Sequence, residues 1–289
     1  MSACVLKLIA AAAMLCDHTA VTLYPLWLGK AGYELLRGVG RVAFPIYAFF
    51  IAVGYDKTRN LRRYLTRLCA LALISQVPFV LVFVRSVFTP GDPMTLSLSV
   101  AWPLALPLIA FVAAVWLLTV RRDASVLLPV LALLAGVTEL KAAGVTLLTT
   151  ELNVFYTLAL GLACVSVLDR ALKPERDIRT LVLQAAAVVA CFLLIRDTAD
   201  YRYLGAALIV CFWAGKDQRL SQLLLLVMWA AIEYLLGGMQ RMYFLCACLS
   251  VVPLYFYNGE RGKNLKRFFY WFYPAHLAVL GVLSLLISA

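Results

Sequence analysis

Residues Cys4–Leu23 read CVLKLIAAAAMLCDHTAVTL, apolar at every position except Lys7, Asp17, His18, Thr19 and Thr22. A run of about 20 mostly apolar residues is the length of helix that crosses a bilayer. Three ionisable groups inside such a run are costly there and point to a task. The remaining sequence repeats the first half of that pattern many times and the second half only rarely.

Of the 289 residues, 64% are hydrophobic and 14% charged, with a mean hydropathy of +0.91. A soluble chain is nearer 25% charged, and this apolar supply is enough for about ten or eleven spans. The composition excludes a soluble enzyme on one anchor, a secreted disulfide scaffold and a disordered protein. No loop has room for a separate soluble domain, so residues 1–289 are expected to form one polytopic domain, an all-α bundle of transmembrane helices. Eleven apolar segments stand out: Cys4–Leu23, Leu36–Tyr55, Arg67–Phe88, Leu98–Val120, Ala124–Thr138, Val145–Leu168, Leu181–Ile195, Tyr203–Gly215, Leu220–Leu236, Met242–Tyr257 and Phe268–Ser288. Lys7 followed by Leu8–Leu15 also has the form of a signal peptide, but the apolar run continues and no small-x-small cleavage site follows.

The 26 basic residues exceed the 15 acidic ones by 11. In a bilayer protein that excess reads as the positive-inside signal rather than as nucleic-acid binding. Seventeen bases fall in alternate loops: Lys57, Arg59, Arg62, Arg63 and Arg67; Arg121 and Arg122; Arg170, Lys173, Arg176 and Arg179; Lys216 and Arg219; Arg261, Lys263, Lys266 and Arg267. The alternation predicts eleven spans with the N-terminus inside. Ten is the alternative, if the short segment Tyr203–Gly215 is re-entrant. The eight cysteines all lie in apolar stretches without Cys-x-x-Cys spacing, and read as small packing residues.

Ionisable residues within the expected spans are Lys7, Asp17, His18, Arg41, Glu233 and His276. Lys7 and His18, eleven residues apart, share a helix face about 16.5 Å apart along the axis. His276 follows Arg267 by nine residues, about 13.5 Å of rise, so both histidines reach similar depth from the same side. Tyr273 lies one turn before His276 on its face. Asp17 points about 100° from His18 and is expected to pair with Arg41. Glu233 is expected to pair with Arg241 across Gly237–Gly238. An intramembrane histidine can also serve as interhelical glue, and the basic loops can also hold a phosphate-rich ligand. A buried neutral imidazole suits acid–base work. Two histidines without further ligands at the right spacing make no zinc set, so no metal is expected. Gly-x-Ser-x-Gly, P-loop and Rossmann fingerprints are missing.

Six stretches carry a resemblance: Leu15–His18 (LCDH), Val39–Phe49 (VGRVAFPIYAF), Arg63–Phe79 (RYLTRLCALALISQVPF), Asn153–Leu162 (NVFYTLALGL), Ala199–Tyr201 (ADY) and Pro253–His276 (PLYFYNGERGKNLKRFFYWFYPAH). On these the chain resembles the TraX family, named for a conjugative pilin acetylation protein, along nearly its whole length. That family looks like part of a wider group of membrane acyltransferases, with the acyltransferase-three type and heparan-glucosaminide N-acetyltransferase. The acyltransferase-three type carries Arg, ten residues, then His in its first helix. Lys7 stands at that spacing before His18 here, which keeps the cation but loses bidentate phosphate geometry.

The resemblance implies an acetyltransferase of the bacterial cytoplasmic membrane, taking acetyl-CoA from the cytosol. The acceptor is an amine or hydroxyl of a peptide or glycan. His18, with Asp17 and His276, is the expected catalytic group. Lys7, Arg41, Arg62, Arg63, Arg67, Tyr257, Asn258, Lys263, Lys266 and Tyr273 are the expected donor-binding set. The rival is a transporter using His18, Asp17, Arg41 and Glu233 as a solute or proton path, although the two halves show no inverted repeat. A passive assembly factor for surface fibres is a third reading, which leaves the mid-membrane His and Lys without a task.

Overall fold

The computed structural model describes residues 1–24, 26–83, 151–174 and 200–288, with positions 178, 181, 182, 185, 188 and 189. Every regular element labelled among them is a helix: α1 (Ala3–Leu23), α2 (Lys30–Gly40), α3 (Ala43–Lys57), α4 (Leu61–Phe83), α5 (Val154–Ala171), α6 (Arg202–Ala214), α7 (Arg219–Leu235), α8 (Arg241–Leu249), α9 (Val251–Tyr255) and α10 (Lys266–Ser288). Hydrocarbon offers no partner to a backbone N–H or C=O, so each spanning segment must close its hydrogen bonds within itself. Among the described residues, five segments are long and apolar enough to cross a membrane: α1, α2 with α3, α4, α5, and Lys266–Ile287 of α10. The expected spans at Leu98–Val120 and Ala124–Thr138 lie outside the described residues, as does most of Leu181–Ile195. The thirteen residues of α6 rise only about 20 Å, short of a hydrocarbon core of about 30 Å.

Three expected spans differ in form. Leu36–Tyr55 is not one helix: the chain tightens at Arg41–Val42, whose N–H groups reach back three residues to Gly38 and Val39. Pro45 accounts for the break. In an unbroken helix its ring would meet the carbonyl of Arg41, whereas a helix restarting at Ala43 puts it in the first turn, where no N–H is needed. Pro253 divides Met242–Tyr257 in the same way, into α8 and α9 around Ser250. Of the expected span Val145–Leu168, residues 145–150 lie outside the described residues, and the described helix starts at Val154, where Asn153 caps it by accepting from the Phe155 N–H at 3.1 Å.

The described residues form two units. The first takes Met1–Val53, Leu81–Phe83 and the described residues from Ala207 onward; the second takes Gly54–Val80 and the described residues up to Ala206. Leu6, Ile46, Leu208, Ile209, Phe212 and Leu226 are fully buried in the first, and Leu65, Leu152 and Leu162 in the second.

The second unit contains a buried polar corner. Asn153 Nδ2 donates to the Ala72 carbonyl at 2.7 Å and to Gln76 Oε1 at 2.8 Å, while Gln76 Nε2 donates to the Glu151 carbonyl at 2.7 Å. Thr157 donates to the Asp200 carbonyl, and the Asp200 N–H reaches Leu152 O at 3.0 Å. With Asp200 held at both backbone ends, Tyr201 and Arg202 sit at φ 59° and 46°. That left-handed region is strained for side chains bearing a Cβ, and persists where the surroundings over-determine it. Asn153 and Thr157 of the Asn153–Leu162 stretch and Asp200 of the Ala199–Tyr201 stretch thus close the start of α5.

Candidate functional site

Both histidines lie in the first unit, and the fold brings them into direct contact. His18, in the last third of α1, places Nδ1 2.7 Å from Nε2 of His276 on α10. The rings are nearly parallel, 9° apart with centroids 4.9 Å apart, and both residues are buried. Aromatic side chains wall them in. Phe272 stacks on His276 at 4.6 Å, Phe83 meets His18 edge-on at 5.1 Å, and Tyr273 stands edge-on to both.

The protons of this pair follow from its partners. His276 Nδ1 lies 2.6 Å from the Phe272 carbonyl, and a carbonyl only accepts, so Nδ1 carries the hydrogen. Neutral His276 then presents its lone pair at Nε2, and His18 must donate to it from Nδ1. The lone pair of neutral His18 is therefore on Nε2. The chain runs from a basic nitrogen, through two imidazoles, to a fixed backbone acceptor.

Asp17 is also buried, but its carboxylate is turned toward another helix. Oδ2 accepts from Arg37 Nη1 at 2.7 Å and Oδ1 from Arg41 Nη2 at 3.4 Å, both on the second segment. The expected Asp17–Arg41 pair is present, and Arg37 joins it. Oδ2 stands 3.9 Å from His18 Nε2, beyond hydrogen-bond reach. Close approach of α2 to α1 depends on Gly40: a Cβ there would overlap the Asp17 carboxylate. Arg41 also lies 5.3 Å over the Tyr243 ring, whose hydroxyl donates to Glu34 at 2.9 Å. The Gly-Arg-x-Ala-Phe-Pro block of the sequence is thus a helix break, a close contact and an ion pair. Arg37 is the residue the sequence reading missed. It lies at the start of the expected span, where a basic residue reads as a boundary marker, and only its four-residue spacing from Arg41 hinted at a shared face.

Toward the start of α1, Lys7 Nζ sits 4.7 Å over the Phe50 ring, and Tyr257 packs edge-on against Phe49 and Phe50. The loop after α9 straps the chain start. The Met1 ammonium donates to the Phe256 carbonyl, and Asn258 N–H reaches Met1 O at 2.9 Å. Ala3 and Cys4 N–H groups reach Glu260 O and Arg261 O at 2.8 and 3.1 Å. The first-turn donors of α1, which elsewhere make an anion site, are engaged by loop carbonyls. Asn258 accepts from Glu260 N–H and donates to its carboxylate, while Gly259 and Gly262 take φ of 81° and 68°. The Tyr-Asn-Gly stretch, expected to bind donor, is built here as a turn. Arg219 donates to the Tyr255 and Tyr257 carbonyls at the end of α9, satisfying groups a helix end leaves open.

Lys263 and Lys266 are exposed, the latter 6.0 Å over Tyr270. Arg62, Arg63 and Arg67 belong to the second unit, in the first two turns of α4. Asn60 caps that helix by accepting from the Arg63 N–H at 3.0 Å, and Arg67 Nε donates to the Arg63 carbonyl. Glu233 is buried, its carboxylate against Gly237, and Arg241 is exposed. Among the described residues, no three His, Cys, Asp or Glu side chains are grouped to hold a metal ion.

A family model described as TraX protein matches residues 2–101 and 94–284. The chain is 25% identical over 293 residues to a Dichelobacter nodosus protein named probable fimbrial assembly protein FimC, serogroup H1, across 96% of this chain and 94% of that one. No solved structure matches the chain. With a family model spanning nearly its whole length, this helical, apolar chain belongs to the TraX family.

Proposed function

We propose that the protein is a membrane acetyltransferase that moves the acetyl group of cytosolic acetyl-CoA to an acceptor amine or hydroxyl at or across the bilayer. The observation that carries this reading is the buried His18–His276 pair, whose hydrogen bonds leave one basic nitrogen, His18 Nε2, without a donor of its own. A buried neutral imidazole with a free lone pair is the form a general base takes.

In the reaction, the acceptor nitrogen or oxygen attacks the thioester carbonyl as His18 Nε2 takes its proton. The Nδ1 hydrogen of His18 shifts toward His276 Nε2, spreading the positive charge over two rings. The Phe272 carbonyl stabilises that charge at the far end. On collapse the C–S bond breaks, and the thiolate takes the proton back from His18. Lys7, about 16.5 Å nearer the start of α1, and the basic loop at Lys263 and Lys266 attract the phosphates of the donor. On the positive-inside reading of eleven spans with the N-terminus inside, those bases would lie in the cytosol. The name of the Dichelobacter relative points to surface-fibre subunits as acceptors, such as the amino terminus of a pilin; a sugar hydroxyl or amine is the other class.

Calorimetry of CoA with the purified protein, followed by acetyl transfer from acetyl-CoA to peptide amines, amino sugars and glycan hydroxyls, tests the reading. Saturable CoA binding and transfer to one class is the expected result. No binding at millimolar CoA would turn the assignment toward a transporter.

A further inference from the structure

Only four of the 23 residues of α4 are exposed: Arg63, Arg67, Ile74 and Val77. At about 100° per residue they fall within about 80° of one another, so they form a single stripe. Ile74 and Val77 are 50% and 54% exposed on a helix long and apolar enough to cross a membrane. Their side of α4 is therefore the side that meets acyl chains, and both arginines stand on it. Val77 follows Arg63 by fourteen residues, about 21 Å of rise. One leaflet with its headgroups is about 20–22 Å deep. The stripe thus has the length of one phospholipid, with two guanidiniums at one end and two apolar side chains toward the other. Arg67 Nε donates to the Arg63 carbonyl at 3.0 Å, which draws that side chain back toward the helix start, as a long cation near the end of a span does.

The surroundings of that end are basic. Lys57 and Arg59 lie in the turn from α3, and Arg62 is beside Arg63. Tyr55 donates to Asp169 Oδ2 at 2.9 Å, which joins the end of α3 to the end of α5, where Arg170 and Lys173 stand. Lys173 pairs with that same oxygen at 2.9 Å. Asp56 and Asp169 are thus the two acids among seven bases, and the start of α4 adds the positive end of its dipole.

We propose that this stripe binds one anionic phospholipid, with the phosphodiester on Arg63 and Arg67 and an acyl chain along Ile74 and Val77. Guanidiniums suit a phosphate because they can donate in pairs. A zwitterionic headgroup would bring its own ammonium into this basic corner. A free phosphate or CoA would use the guanidiniums and leave the apolar half of the stripe idle. The acetyl-transfer reading plays no part in this site.

Native mass spectrometry of the purified protein, from micelles holding equal phosphatidylglycerol and phosphatidylcholine, counts the lipids retained. The wild type should keep the anionic lipid about fivefold more often or better. Replacing both residues, Arg63→Gln with Arg67→Gln, should cut that retention about tenfold, with phosphatidylcholine retention and CoA binding unchanged. Phosphatidylglycerol carrying a diazirine midway along its chain should label the peptide containing Ile74 and Val77, and the double variant should lose that label. Both arginines are exposed; if the pair nevertheless fails to fold, Arg63→Gln alone carries the test, with about threefold lower retention. Equal retention of the two lipids by the wild type would overturn the proposal, as would a folded variant that keeps the preference or the label. Displacement of the lipid by millimolar inorganic phosphate or CoA at constant ionic strength would give the arginines to a soluble ligand instead. A dimer mass in place of bound lipid would give the stripe to a second copy of the chain, and either result refutes the lipid site.

Discussion

The protein has two buried polar clusters that look alike in composition and differ in how their hydrogen bonds end. In the second unit, Gln76, Asn153 and Thr157 direct their bonds to backbone groups of Ala72, Glu151 and Asp200, and to one another. In the first unit, the chain through His276 and His18 begins on one carbonyl and ends on a nitrogen with a lone pair, beside a guanidinium whose Nε–H has no acceptor. A membrane interior demands that backbone groups be satisfied, so side-chain amides at a helix start are what structure alone requires. The first unit adds a nitrogen with a free lone pair and an unmatched donor to that requirement. The contrast lies in how the two clusters' bonds end, although Ser75 Oγ in the second unit is also buried without a partner.

The comparison breaks most visibly at His18. His18→Ala should lower acetyl transfer by about 10²- to 10⁴-fold, the usual cost of a general base, with expression and CoA binding largely retained. Single-turnover assays on purified variant measure it, and near-normal turnover would remove His18 from the mechanism. Gly40→Ala tests the support of the site without touching either ring. The new Cβ meets the Asp17 carboxylate, so overpacking should cost about 1–3 kcal/mol of stability. Transfer should fall further than stability does, because Asp17 and its guanidiniums move with it; thermal melts beside initial rates separate the two.

Asn153→Leu is the matched change in the other cluster. Removing the cap and one partner of Gln76 should destabilise by about 1–3 kcal/mol, while turnover per folded molecule stays unchanged. A drop in that turnover would mean that the closed corner also serves chemistry. The smallest effect belongs to the exposed bases. Replacing Lys263 and Lys266 together with Gln should weaken CoA binding about tenfold at low ionic strength, less as salt rises toward a screening length of about 8 Å. Affinity that is insensitive to both residues and salt would leave those lysines with topology alone.

Much of this was legible in the residues. Membrane-length apolar runs identify helices because hydrocarbon permits little else; α1 and α10 lie where their runs predict, while α4 starts at Leu61, ahead of the expected Arg67. Counting 1.5 Å per residue from two separate helices placed His18 and His276 at similar depth, and the helix angle turned Asp17 away from His18, leaving Arg41 as its expected partner. The counts did not reveal that the rings touch, since depth says nothing about rotation about the membrane normal. Nor did they divide Leu36–Tyr55, although Pro45 carried the information, or draw Arg37 into the site.

Sequence by itself determined the solvent the protein lives in, the helical class and the scarce groups capable of proton transfer, because each depends on composition and on the period of one helix. Tertiary structure alone decided which nitrogen of His18 is basic, because that depends on the Phe272 carbonyl acting through His276. It also decided that Asn258 forms a turn and that Arg37 joins Arg41 on Asp17, because hydrogen bonds between segments as much as 258 residues apart leave no trace in local spacing.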